Sequence, residues 1–220
     1  AKVCLIDEGR PQTARTFEVA REYRFLKGSG IPLRIPVIEM VEVGAGGGSI
    51  AGVDSMRRIS VGPGSAGSNP GPVCYGLGGQ LPTVTDADVT LGRIDPNNFA
   101  GGSMRLDSEL AADALIRSVG DLLGFSLEHA ALGVSEIVDE NMAYAARVHA
   151  IASGKNVDVR TLIAFPGAAP THVRRSAEKL GVDRAVVPPG SDVRSALGVL
   201  RAHVAYDVPR SHPQQGQRGK

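Results

Sequence analysis

The chain has no tryptophan, 4% aromatic residues and two cysteines in 220 residues. Valine, isoleucine, leucine and alanine must therefore fill the core that a 42% hydrophobic content allows, enough for one ordinary α/β domain. Cys4 and Cys74 lie far apart in apolar surroundings. That pattern favours buried, reduced thiols over a disulfide framework and makes the protein cytoplasmic by default. No apolar run approaches the roughly 18–20 residues of a membrane span, and no signal-peptide layout opens the chain. Charge of one sign is missing as well. The formal net charge is +1 with both signs interspersed, so neither nucleic acid nor a membrane surface is indicated as a partner. No internal repeat, no zinc-ligand spacing and no recognisable Ser-His-Asp arrangement is present.

What the chain has in excess is glycine. Twelve of its 28 glycines fall between Val43 and Gly79. Ile50, Val53, Ile59, Val61, Val73, Tyr75 and Leu77 punctuate this stretch, and prolines stiffen it. Glycine opens positive φ and close backbone approach, while proline fixes φ and removes a donor. The mixture specifies an ordered, tightly turning loop pressed against a ligand or another piece of backbone.

Period-2 and helical patterns place the flanking elements. Val3–Ile6 reads as a strand with Thr16–Ala20 as its antiparallel mate. Ile35–Val43 reads as a strand with Val37, Glu39, Val41 and Val43 on one face, leading into Gly44–Gly48. Ser49–Val53 and Arg58–Val61 form a hairpin. Asp107 or Ser108 caps a helix ended by Gly124, and Ser126 caps a longer one to about Ser153, stopped by Gly154. Strand 160–165, the turn Pro166–Pro170, helix Thr171–Leu180 with Gly181 at its end, and strand 184–187 form a parallel crossover unit. A last helix, Ser191–Leu200, turns Val193, Ala196, Leu197 and Leu200 inward. The opening residues read as a strand already under way and the polar segment from Ser211 as disordered. The chain is therefore expected to be a portion of something longer, with residues 1–207 as domain and 208–220 as tail.

Three places could carry chemistry. The run Gly44–Gly48 follows a strand, as a phosphate cradle does, yet lacks the Gly-Lys-Ser/Thr of a P-loop and the helix of a dinucleotide fingerprint. It serves either an anion or close packing. Asp86 and Asp88 in Thr83–Asp88 could share a face and hold Mg²⁺ or orient a nucleophile; alternatively, Asp86 caps the turn that follows. His172 sits in the first turn after Gly167-Ala168-Ala169-Pro170, where amides without partners favour polar or anionic ligands. Glu136, Asp139, Glu140 and Asn141 read as a solvated helix face with one polar contact.

Ordered strings add specificity: Glu42–Ala51, Val61–Gly67, Pro70–Gly76, Pro82–Ala87, Leu91–Pro96, Glu140-Asn141-Met142 and Ile163–His172. Together they resemble the A-subunit (hydantoinase A / 5-oxoprolinase) family up to about Asp207. The resemblance implies an α/β fold of the actin-like, ribonuclease-H-related ATPase type, here incomplete, with a mixed sheet, a glycine-rich loop region and flanking helices. It implies use of ATP and Mg²⁺ to open cyclic amides such as hydantoins or 5-oxoproline. A partner B-subunit or B-domain makes a hetero-oligomer, and close relatives are subunits of acetone- and acetophenone-type carboxylases. By the same resemblance Gly44, Gly46, Gly47, Gly48, Gly167, Ala168 and His172 line the nucleotide cleft, and Asp86 is the catalytic candidate for metal or substrate; metal ligands are unassigned. Two departures stand out. Pro166 and Ala169 replace family glycines, and the Asp-x-Gly-Gly-Thr phosphate loops are expected upstream of Ala1. Such a fragment alone is expected to be inactive.

Overall fold

The computed structural model describes residues 1–20, 22, 28–165, 167–204, 206, 208 and 210. Its axis is the helix Leu127–Ala152, 26 residues and about 40 Å long at 1.5 Å per residue. The Ser126 hydroxyl caps it by accepting the His129 amide at 3.3 Å. One face, with Ala130, Ala131, Val134, Val138, Met142 and Ala145, packs on Val43, Ala51, Val61, Val84, Leu115 and Val119. Further along, Ala143 and Ala146 pack on Ala177, Leu180 and Val182. The small alanines let neighbours approach this helix from two sides, which suits a core without tryptophan.

The elements around this axis largely follow their patterns. Strands Ser49–Val53 and Ile59–Ser65 form the expected hairpin, with Ala51 opposite Val61. Asp54 closes its turn by accepting the Met56 and Arg58 amides at 2.9 Å each. Asp107 caps Ser108–Leu115 by accepting the Glu109 and Leu110 amides. A π-turn at Ile116–Gly120 continues that helix to Asp121–Leu123, and left-handed Gly124 ends it. Strand Thr161–Ile163 runs parallel to Arg184–Val186, with helix Ala169–Leu180 as the crossover and left-handed Gly181 at its end. Among the described residues the strands form five antiparallel pairs and this one parallel pair. No helix among them is long and apolar enough to cross a membrane.

Four expectations are corrected. Thr16–Ala20 does not pair with Val3–Ile6: Phe17–Val19 pairs with Ile31–Leu33, and Lys2–Cys4 pairs with Met40–Glu42. That choice turns Val3 and Val41 toward the two core clusters, a long-range gain that outweighs local pairing. The segment from Val84 is a helix to Thr90, so Asp86 and Asp88 do not share a face. The last helix spans Arg194–Arg201 and buries nothing; Val193 is 51% and Leu200 81% exposed. Cys4 is exposed, whereas Cys74 is buried as expected. Pro166 and the tail from Ser211, both singled out in the sequence, lie outside the described residues.

Burial, reinforced by the neighbouring Asp86 carboxylate, pushes the Cys74 thiol well above its ordinary range. Ellman's reagent should therefore titrate Cys4 promptly in the folded protein and Cys74 only after denaturant is added. Prompt reaction of both thiols would contradict the burial of Cys74.

Candidate functional site

Strand 40–42 delivers the chain into a turn built by Ser49. The Ser49 hydroxyl accepts the Gly46 amide at 3.0 Å and reaches the Gly44 carbonyl at 3.4 Å, while the Ser49 amide donates to Gly46 at 3.0 Å. The Gly47 carbonyl accepts the Thr85 amide at 2.8 Å, and the Gly48 carbonyl accepts that of Ala66 at 2.9 Å. The loop is thereby clamped to the start of helix 84–90. Among the described residues, the amides of Gly44, Ala45, Gly47 and Gly48 donate to no protein acceptor.

Close approach explains two of the glycines. A Cβ on Gly47 would stand 2.7 Å from Thr85 Oγ1 and 3.6 Å from Ala168 Cβ. A Cβ on Gly62, whose φ is +72°, would stand 2.7 Å from the Gly44 carbonyl oxygen. The packing reading of the glycines thus holds at these points. The same contact brings two expected site segments together: Gly47 lies against Ala168, the residue after left-handed Gly167. A pocket of about 340 Å³ opens beside the head of the loop, lined by Val43, Gly44, Ala45, Val61, Gly62, Pro63 and Asn141. Gly167, Ala168 and His172 do not line it.

Asp86 and Asp88 diverge, because residues two apart on a helix point about 200° apart. Asp86 is fully buried and accepts four hydrogen bonds: Cys74 N at 2.7 Å, Val73 N at 3.2 Å, Thr83 N at 2.7 Å and Thr83 Oγ1 at 2.9 Å. With Thr83 it forms a capping box, so the capping alternative describes its geometry. It fixes the turn at Pro72–Gly76 to the helix and faces neither the glycine loop nor the pocket.

His172 is enclosed rather than open to a ligand. Its Nδ1 lies 2.8 Å from Asp139 Oδ1 and its Nε2 lies 3.1 Å from Asp88 Oδ2, with all three side chains buried. The second contact is an ion pair without a directed hydrogen bond. Arg93 reaches in from the surface to Ser135 and to Asp88 at 3.5 Å, and Ser135 donates to Asp139 at 3.4 Å. Two cations thus balance two carboxylates. Burial opposes charging the imidazole, but the Asp139 hydrogen bond and the Asp88 carboxylate outweigh it and raise His172 to about 9. Sequence reasoning put Asp139 on a solvated face; it is buried. The available signal was its spacing: Ser135 and Asp139 lie four apart beside the apolar stripe of Val134 and Val138. Glu136 and Glu140 are on the surface, paired with Arg175 and Lys179.

Among the described residues no cluster of ligating side chains forms a ready-made magnesium site: no group of three or more His, Cys, Asp or Glu is placed to hold a metal ion. Asp86, Asp88 and Asp139 turn their oxygens to protein partners. The unpartnered main-chain donors of the glycine loop do fit a phosphate edge.

A family model described as hydantoinase/oxoprolinase matches residues 1–208. The chain is 41% identical over 181 residues to the caprolactamase subunit alpha of Pseudomonas jessenii, covering 82% of this chain and 26% of that protein. A crystal structure of that ATP-dependent caprolactamase matches at TM-score 0.71 and 39% identity, covering 81% of this chain and 26% of that one. Identity to the acetophenone carboxylase gamma subunit of Aromatoleum aromaticum is 45% over 167 residues, 76% of this chain and 22% of that protein. A nucleotide-free structure of acetone carboxylase, from work on its ATP-dependent carboxylation, matches at TM-score 0.77 and 31% identity. It covers 90% of this chain and 27% of that one. The chain therefore spans about a quarter of the length of these relatives.

The raised His172 value sets a pH dependence. The folded state favours charged His172 more than the unfolded chain does, whose value is near 6.5. This contribution is complete below pH 6.5 and is lost as pH rises through about 9. Asp139→Asn should cost roughly 3–5 kcal/mol in urea unfolding at pH 6, the usual loss when a buried pair is broken. It should also flatten the decline between pH 6.5 and 9. A loss below about 1 kcal/mol with the decline intact would contradict the pairing.

Proposed function

The chain belongs to the hydantoinase/oxoprolinase family, and on that premise we propose that it is the nucleotide-facing stretch of an ATP-dependent enzyme that opens cyclic amides. Its relatives are ATP-dependent cyclic-amide hydrolases and carboxylases, and its mixed α/β fold, consistent with an actin-like ATPase domain, is shared with acetone carboxylase and caprolactamase. The observation that carries the reading is the abutment of Gly47 on Ala168. It sets the loop that carries the free amides of Gly44, Ala45, Gly47 and Gly48 beside the Gly167–Ala168 bend, so one extended anionic ligand can run along both.

The chemistry is intelligible in these terms. A lactam carbonyl is a poor electrophile, and transfer of a phosphoryl group to its oxygen makes it a good one. Fixed main-chain donors stabilise charge on the moving group without reorganising. In this reading His172 is a positioning residue: locked by Asp139 and Asp88, it fixes the first turn of helix 169–180 and thereby the bend before it. Asp86 does the same for helix 84–90, against which the glycine loop is clamped. A B-type partner subunit completes the hydrolysis, in keeping with the subunit names of the relatives.

A second reading, a subunit of a ketone carboxylase, is favoured by the 45% identity to the acetophenone carboxylase subunit. The complete enzyme distinguishes the two. Phosphate release is measured with hydantoin, 5-oxoproline or caprolactam, and separately with acetone or acetophenone plus bicarbonate. Stimulation by a cyclic amide is expected; release only with ketone and bicarbonate would overturn the lactam reading. In the same enzyme Gly47→Ala should raise the KM for ATP by roughly tenfold or more, because the added methyl must push the loop off Thr85 and Ala168. An unchanged KM in a folded variant would remove the loop from the nucleotide site.

A further inference from the structure

Three successive residues of the central helix have three separate destinations, as 100° steps require. Asp139 enters the buried network, Glu140 pairs with Lys179 at the surface, and Asn141 lines the pocket at the head of the glycine loop. Among the described residues the Asn141 carboxamide has no hydrogen-bond partner, although the residue is half-buried. Around it the other lining side chains are apolar, at Val43, Ala45, Val61 and Pro63, and main chain at Gly44 and Gly62 completes the wall. A volume of about 340 Å³ falls within the usual range of small-molecule sites. One two-headed polar side chain among apolar ones, beside the free main-chain donors of the loop, calls for a ligand that carries a matching polar edge next to the phosphate-binding amides.

Resting on the cyclic-amide reading above, we propose that Asn141 is the specificity-determining residue that reads the amide edge of the ring substrate in this pocket. A small ring holds the N–H and C=O of its amide cis, side by side on one edge. The carboxamide offers an acceptor, Oδ1, and a donor, Nδ2, at matching separation, so the two groups close through a pair of parallel hydrogen bonds. An open-chain amide is trans and turns its N–H and C=O to opposite sides, so it can make only one of them. The device therefore selects rings over peptides, and the apolar wall receives the ring methylenes. The amino and ring-nitrogen edge of adenine has the same donor–acceptor pattern. Position favours the substrate: the pocket touches Gly44 and Ala45, where the reading places phosphates, and the acceptor must come within roughly 3–3.5 Å of the transferred group. The base lies at the other end of the nucleotide.

The test uses the complete enzyme, with calorimetric titration of ε-caprolactam, N-methylcaprolactam and Mg-ATP into the wild type, Asn141→Asp and Asn141→Leu. The wild type should bind caprolactam roughly tenfold or more tightly than its N-methyl analogue, which lacks the N–H. Asn141→Leu should erase that preference, and Asn141→Asp should weaken caprolactam by losing the donor to its carbonyl. Mg-ATP affinity should stay unchanged in both. The analogue pair needs no variant, so equal wild-type binding of the two lactams overturns the proposal whatever the variants do. So does a preference that survives Asn141→Leu, or a loss of Mg-ATP affinity alone, which would assign the carboxamide to adenine. If these failures accompany lactam-driven phosphate release, the cyclic-amide reading stands and only the role of Asn141 falls. If the wild type binds no lactam and responds only to ketone plus bicarbonate, both fall.

Discussion

A single imidazole held between two carboxylates organises the part of this molecule that matters for function. His172 opens helix 169–180, Asp139 lies midway along helix 127–152 and Asp88 lies on helix 84–90, so one buried side chain joins three helices. Taking charges out of water is costly, and the arrangement is tolerable only because two cations meet two anions and most remaining polar atoms find partners. The consequence is geometric. Helix 169–180 cannot slide along the central helix without breaking the pair, so the bend at Gly167–Ala168 keeps its place against the glycine loop.

The glycine loop depends on that placement from the other side. Thr85 clamps the Gly47 carbonyl, Ser49 closes the turn, and Gly62 passes close to the Gly44 carbonyl. These contacts occupy carbonyl oxygens and leave several amide donors free. Close backbone packing and readiness for an anion are therefore two results of one arrangement, since the packing that requires glycine is what holds the donors in position.

Much of this was legible in the residues. Ser126, Asp107, Gly124 and Gly181 sit at their helix ends for local reasons of capping and left-handed backbone, and local chemistry survives without knowledge of the whole. The Val37–Val43 alternation and the hairpin after the glycine loop read correctly for the same reason. Long-range decisions did not read. Nothing near Val3 announces that it prefers Val41 to the segment at Phe17. Asp139 looks solvated because charged residues on a helix usually are; only Arg93 and His172, distant in sequence, make its burial affordable. The capping alternative for Asp86 was legible, but that its capping box starts a helix, which turns Asp88 to the opposite side, was not. Of the residues the family resemblance pointed to, Asp86 and His172 hold segments in place, while the free polar side chain at the pocket belongs to Asn141.

The charged, doubly paired state of His172 is the claim on which the rest stands. Following its ring nitrogens by ¹⁵N NMR from pH 5 to 10.5 tests it most directly. Both nitrogens should report a protonated imidazolium through neutrality, with a midpoint near 9. A midpoint at or below 6.5, with a neutral ring at pH 7.5, would mean that the three helices are joined some other way.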